Sequence, residues 1–146
     1  MTKSLELAET FRHLADLLAY QGENLFKIRA YRRAAGALEG LEEDVEALAA
    51  EGRLEEVPGI GKAIAGKIRE YLHTGKMRKY EEALRGVPRG VAELLKLPGL
   101  GPRTVARMVD MGVADPEALR RALAEGRSVP GLSKGRLEEV KNFLGL

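Results

Sequence analysis

Apolar residues recur along most of this chain at intervals of three and four, the spacing that lines one side of an α-helix. Leu7, Phe11, Leu14 and Leu18 form such a stripe between residues 4 and 20, with Ser4 expected as the N-cap. After a break at Gln21-Gly22-Glu23, a second stripe of Phe26, Ile28, Tyr31, Ala34, Ala35 and Leu38 runs to Gly40. A third helix is expected over about 42–50, with Val45, Leu48 and Ala49 on its apolar side and Gly52 behind it. Ile64, Ile68 and Leu72 predict a fourth over 62–73, closed by Gly75. Shorter helical patterns follow over 77–84, 90–95, 102–111, 115–125 and 134–144, two of them opened by Pro102 and Pro116, a residue suited to the first helical turn. No segment alternates with period two for long enough to read as a strand. The expected fold class is all-α, with four helical patterns before residue 76.

One phrase punctuates these helices three times: Val57-Pro58-Gly59-Ile60-Gly61, Leu97-Pro98-Gly99-Leu100-Gly101 and Val129-Pro130-Gly131-Leu132-Ser133. The prolines lie 40 and 32 residues apart in sequence, too irregular for a solenoid. In each copy the flanking apolar residues are expected to anchor the loop between two helices. Gly59, Gly61, Gly99 and Gly101 are expected to adopt positive φ and to let an anion approach the backbone N–H groups at the start of the next helix, where the helix dipole is positive. Lys62 beside the first turn, and Arg103 with Thr104 beside the second, add charge or a hydroxyl. The ligand that suits several such turns in one small protein is a nucleic-acid backbone. The expected DNA-contact set is Gly59, Ile60, Gly61 and Lys62 with Gly99, Leu100, Gly101, Arg103 and Thr104 at the turns, joined by the cationic side chains of Lys27, Arg32, Lys67 and Lys79. Such contacts position a duplex without reading its sequence. The third copy, with Ser133 in place of the second glycine and Glu138 and Glu139 following, reads as a packing hairpin.

The net charge of +2 does not by itself point to a polyanion partner, but its distribution does. Lys27, Arg29, Arg32 and Arg33 stand together without an acid, residues 39–56 hold eight acids against Arg53, and Lys76, Arg78 and Lys79 form a second basic run. Arg32 and Arg33, adjacent on one helix, diverge by about 100° and cannot face one ligand equally. Phe26 and Tyr31 are expected in the core, and His13 and His73 at the surface or its boundary. The absence of cysteine excludes disulfides and thiolate metal sites, and the two histidines are no ligand pair. With no apolar stretch of about eighteen residues and no signal-peptide pattern, a cytoplasmic, nucleoid-associated protein without a membrane partner is expected. One Gln and two Asn among many Glu, Arg and Leu suggest a thermophilic source.

Three segments together, FKIRAYRRAA (26–35), VPGIGKAIAGKIREYLHTGKMRKYEE (57–82) and LPGLGPRTVARM (97–108), resemble the N-terminal region of family X DNA polymerases, the family of DNA polymerase β, and particularly its bacterial members. The resemblance covers nearly the whole chain. It implies a four-helix small domain over 1–80, containing the first helix-hairpin-helix and binding the 5′ side of a DNA gap. A helical subdomain with two further helix-hairpin-helix units is implied over 81–146. It also implies that carbonyls at the turns, Val57 and Ile60 in one and Leu97 and Leu100 in the other, hold a sodium or potassium ion bridging to a phosphate; no other cofactor is implied.

In eukaryotic members a lysine on the helix after the first hairpin removes 5′-deoxyribose phosphate through a Schiff base. Lys67 matches that lysine, and Tyr31 a tyrosine close to it, while Lys27, Lys62 and Lys79 supply positive charge nearby. Ala63 and Phe26 depart from the family pattern, standing where those enzymes carry another lysine and a stacking histidine. The carboxylate-bearing palm of the polymerases is missing: Asp16, Asp44, Asp110 and Asp115 lie in helical or turn patterns, so no polymerisation by this chain alone is expected. The expected function is DNA-backbone binding at gapped or nicked DNA, in the service of repair. A Lys67-dependent lyase and a helical adaptor for a separate polymerase core are the alternatives.

Overall fold

The computed structural model describes residues 2–129 and 131–146, so Pro130 of the third turn lies outside the described residues. Among these residues the chain is helices and connecting turns, in two compact units, Met1–Ala83 and Leu84–Leu146.

In the first unit, α1 (Lys3–Tyr20) packs along α2 (Leu25–Glu39), followed by α3 (Val45–Ala50), a 3-10 turn (Leu54–Glu56) and α4 (Lys62–Thr74). Caps set the ends of these helices. Thr2, not Ser4, caps α1 by accepting from the Leu5 amide at 3.2 Å, and Asn24 caps α2. The third helix starts three residues later than its apolar pattern suggests, because the Asp44 carboxylate takes the Glu46 amide and makes Val45 the first helical residue. The core gathers the predicted stripes: Leu7, Phe11, Leu14 and Leu18 meet Ile28, Tyr31 and Leu38, with Phe11 and Tyr31 stacked at 5.9 Å between ring centroids.

Two polar contacts brace this core. Arg32 of α2 reaches Asp16 of α1 at 2.9 Å, and burial outweighs the guanidinium in holding the Asp16 carboxyl above its ordinary pKa. His13, expected near the surface, is instead buried at 6% exposure, because α5 (Arg78–Arg85) lays Tyr80 beside it with Oη 2.6 Å from Nδ1. Burial, with Glu81 adding a smaller effect, pushes the Tyr80 hydroxyl up to about 12, so it remains an O–H able to donate to the histidine.

The second unit holds α6 (Arg89–Leu94), α7 (Pro102–Asp110), α8 (Pro116–Ala124) and α9 (Lys134–Phe143) around Leu94, Val105, Met108, Leu119 and Val140. Asp115 caps α8 by accepting from Ala118 at 2.7 Å, and the segment carrying that cap crosses α6 at Gly90. A Cβ at Gly90 would lie 2.5 Å from the Ala114 carbonyl oxygen and 2.6 Å from Asp115 Cβ, so this crossing exists only because position 90 has no side chain.

Candidate nucleic-acid interface

The first two turns close in the same way. In the first, the Ile60 amide donates to the Val57 carbonyl at 3.0 Å; in the second, Leu100 donates to Leu97 at 3.3 Å. Ile60, Leu97 and Leu100 are buried, so at these positions only backbone is offered outward. Gly59, Gly99 and Gly131 have φ of 96°, 76° and 83°, a conformation in which a Cβ is strained, and each is also closely covered. A Cβ at Gly59 would meet Arg33 Cγ and Ala37 Cβ at 3.3 Å, one at Gly99 would meet the Arg136 stem at 3.4 Å, and one at Gly131 would meet Thr104 Oγ1 at 3.0 Å. These first glycines of each phrase serve the turn itself.

The second glycines differ from the sequence-based expectation. Gly61 and Gly101 have φ of −91° and −87°, ordinary for any residue, and a Cβ at either would meet nothing within 4 Å. Neither backbone conformation nor packing requires glycine there. What the missing side chain does is leave the N-termini of α4 and α7 without a side-chain cap. The third turn is closed instead: Ser133, at φ −71°, caps α9 by accepting from the Arg136 amide at 3.4 Å. Two turns therefore present open, positively polarised helix ends to an anion, and one does not.

The charged residues sort by what holds them. Lys62 and Arg103, just inside the two open helices, are exposed, as is Lys27 near the start of α2. Arg32 is engaged with Asp16, whereas Arg33, left out of the expected contact set, lies across Gly59. Thr104 packs against Gly131 of the third turn. Lys67 is half-buried, with its Nζ 5.9 Å from the centre of the Tyr31 ring, and Tyr31 itself is core, its hydroxyl pushed up by burial. Lys67 also lines an open cleft of about 280 Å³ with Glu70, Arg78, Lys79 and Glu82. Phe26, expected in the core, is 80% exposed: it stands two residues before Ile28, about 200° around α2, so the side of the helix that buries Ile28 and Tyr31 leaves Phe26 toward solvent. Leu25 beside it is 55% exposed.

Val57 and Leu97 each give one lone pair of the carbonyl to the turn, leaving a second for a weakly bound cation. The first turn thus fits the alkali ion that the family resemblance implies. At the second turn the Arg136 guanidinium already stands on a carbonyl, donating from Nη1 to Gly99 at 2.6 Å, so positive charge is supplied by the chain and the fit to a further cation is poorer. No group of three or more His, Cys, Asp or Glu able to hold a metal occurs among the described residues, and no helix among them is long and apolar enough to cross a membrane.

Helix, tight Pro-Gly turn and uncapped helix, repeated in both units, define a protein built on helix-hairpin-helix elements. The chain belongs to the helix-hairpin-helix domain family, which matches residues 3–77, and residues 91–145 match the SAM-like helix-hairpin-helix tandem. It is 35% identical over 144 residues, 97% of its length, to the N-terminal part of the DNA polymerase/3′-5′ exonuclease PolX of Bacillus subtilis (strain 168). The chain spans 24% of that relative.

Proposed function

We propose that this protein binds DNA by its sugar-phosphate backbone, without reading sequence, at gapped or nicked sites. The observation that carries the reading is the pair of glycines, Gly61 and Gly101, which nothing in the fold requires and which leave α4 and α7 open to a phosphate. Lys62 and Arg103 stand beside these open ends with their charge exposed. An alkali ion at the Val57 and Ile60 carbonyls would add a bridge to the same phosphate. Phe26 and Leu25 supply an apolar surface at the start of a basic helix, suited to the face of an unpaired base at a gap. The name of the Bacillus relative, a DNA polymerase/3′-5′ exonuclease, supports a reading in which such binding serves a polymerase core. The chain would position the DNA and the core would do the chemistry.

Two phosphate contacts at each open turn, about four in all, correspond to a slope near −3.6 in log affinity against log salt. Affinity for a gapped duplex is then expected to fall about a hundredfold between 50 and 200 mM monovalent salt. Titrations of gapped, nicked and intact duplex by fluorescence anisotropy measure this directly. An affinity that stays constant across that range removes the proposal.

The cleft that gathers Lys67 with Arg78 and Lys79 supports a second reading, a lyase acting on 5′-deoxyribose phosphate. There the Lys67 amine would add to the C1′ aldehyde and lose water to give an imine, while the cationic neighbours hold the 5′-phosphate. Borohydride reduction on incised abasic DNA is expected to trap a covalent adduct with the wild type and not with Lys67→Ala. No adduct with the wild type eliminates the lyase.

A further inference from the structure

The second and third turns of the second unit reach across to each other at equivalent positions. Thr104 follows Gly99 by five residues and lies against Gly131; Arg136 follows Gly131 by five residues and lies against Gly99. The exchange is symmetric in position and unequal in chemistry. Thr104 brings a methyl and a hydroxyl, whereas Arg136 lays its aliphatic stem 3.4 Å from where a Gly99 side chain would start, with its guanidinium against the Gly99 carbonyl at 2.6 Å.

The partners of the other bridging arginines show why this matters. Arg12, Arg32, Arg53 and Arg89 each meet a carboxylate, which offsets their charge. Arg136 meets only a carbonyl; among the described residues no carboxylate lies within ion-pair distance of it. A guanidinium has five N–H donors, and this contact uses one, so the rest of an exposed, uncompensated cation is held by its stem beside the turn that opens α7. The first unit holds an arginine in the same way, with the stem of Arg33 across Gly59.

We infer that Arg136 is a phosphate-binding residue contributed by the third hairpin to the second turn, so that one backbone phosphate is gripped by groups of both hairpins. The third hairpin then has a DNA-contacting role despite its own closed helix end and its acidic helix. The inference rests on the DNA-binding reading above and adds to it a residue that the motif itself does not specify.

Arg136→Gln and Arg136→Lys, in the full chain, test it through salt-dependent binding to a gapped duplex, with melting temperature read alongside. Removing one phosphate contact lowers the salt slope by about 0.9 and, for a charge-assisted hydrogen bond, the affinity by about tenfold. Both changes are expected for Arg136→Gln, while Arg136→Lys keeps the wild-type slope. If Arg136 only ties α9 to the turn, Arg136→Gln lowers the melting temperature and leaves the slope as in the wild type, which overturns the inference. A readout on the wild type needs no variant to fold. Phenylglyoxal is expected to modify Arg136 in the free protein, and bound gapped duplex to protect it, as followed by mass spectrometry. A wild type that shows no salt-dependent DNA binding refutes the function itself; a wild type that binds while Arg136 stays reactive refutes this assignment alone.

Discussion

Gly61→Ser combined with Gly101→Ser is expected to leave the protein folded and to remove most of its affinity for DNA. Both positions hold φ near −90° with open space where a side chain would go, so serine fits without strain. The third turn already shows the outcome for the fold, since Ser133 sits there in extended conformation and caps α9. Serine in place of glycine at an N-cap changes helix stability by a few tenths of a kcal/mol, in the favourable direction. The melting temperature should therefore hold or rise slightly. For a phosphate the same change is doubly adverse: the hydroxyl competes for the helix N–H groups, and the Cβ stands in the anion's path. Hydrogen bonds to a charged group are each worth about 1.5–3 kcal/mol, so loss of one per turn weakens binding by roughly ten- to a hundredfold per turn. Anisotropy with a gapped duplex at fixed salt gives the answer. Wild-type affinity in the double variant would show that these glycines do not admit the ligand.

The largest effect on stability is expected from Gly90→Ala. A methyl group at position 90 would stand 2.5 Å from the Ala114 carbonyl oxygen, and that oxygen belongs to backbone held in place by the Asp115 cap of α8. Relief requires α6 to move away from the α8 cap, with loss of packing around Val91 and Leu119, both buried. Overpacking of this kind costs about 2–3 kcal/mol, and for a unit of this size each kcal/mol shifts the midpoint by about 4–8 °C. The transition of the second unit, followed by circular dichroism, should fall by on the order of 10 °C or more. Gly36→Ala is the control. It lies within α2, a Cβ there meets nothing within 4 Å, and alanine should raise stability by about 0.5–1 kcal/mol through helix propensity. Equal melting of Gly90→Ala and the wild type would mean that the crossing yields without cost.

Much of this architecture was legible because its signals are local. The stripes of Leu7 to Leu18 and of Ile64 and Ile68 are periodic within one helix, and Pro102 and Pro116 mark first turns by their own stereochemistry. The recurring Pro-Gly phrase located all three turns. The misreadings turned on a neighbour remote in the chain or on the angular position of a residue within its helix. His13 looked like a boundary residue until Tyr80, sixty-seven positions away, covered it. Phe26 fitted the apolar stripe of α2 by type, yet it lies about 200° around the helix from Ile28 and so faces away from the core.

The sequence by itself determined that this is an all-helical chain of helix-hairpin-helix type and where its turns fall, because helix periodicity, caps and a proline-glycine turn are written in neighbouring residues. Only the tertiary structure decided which parts of each turn are covered and which are open. The two glycines of a phrase are alike in sequence, but packing against Arg33, Arg136 or Thr104 makes the first one structural, and open space around Gly61 and Gly101 leaves the second uncovered. Likewise Arg32 and Arg33 are neighbours in sequence, and α1 takes one for Asp16 while the first turn takes the other. The physical reason is the same in both cases: conformation is largely a property of the local chain, whereas whether a group is covered, paired or open is set by whatever the fold brings against it.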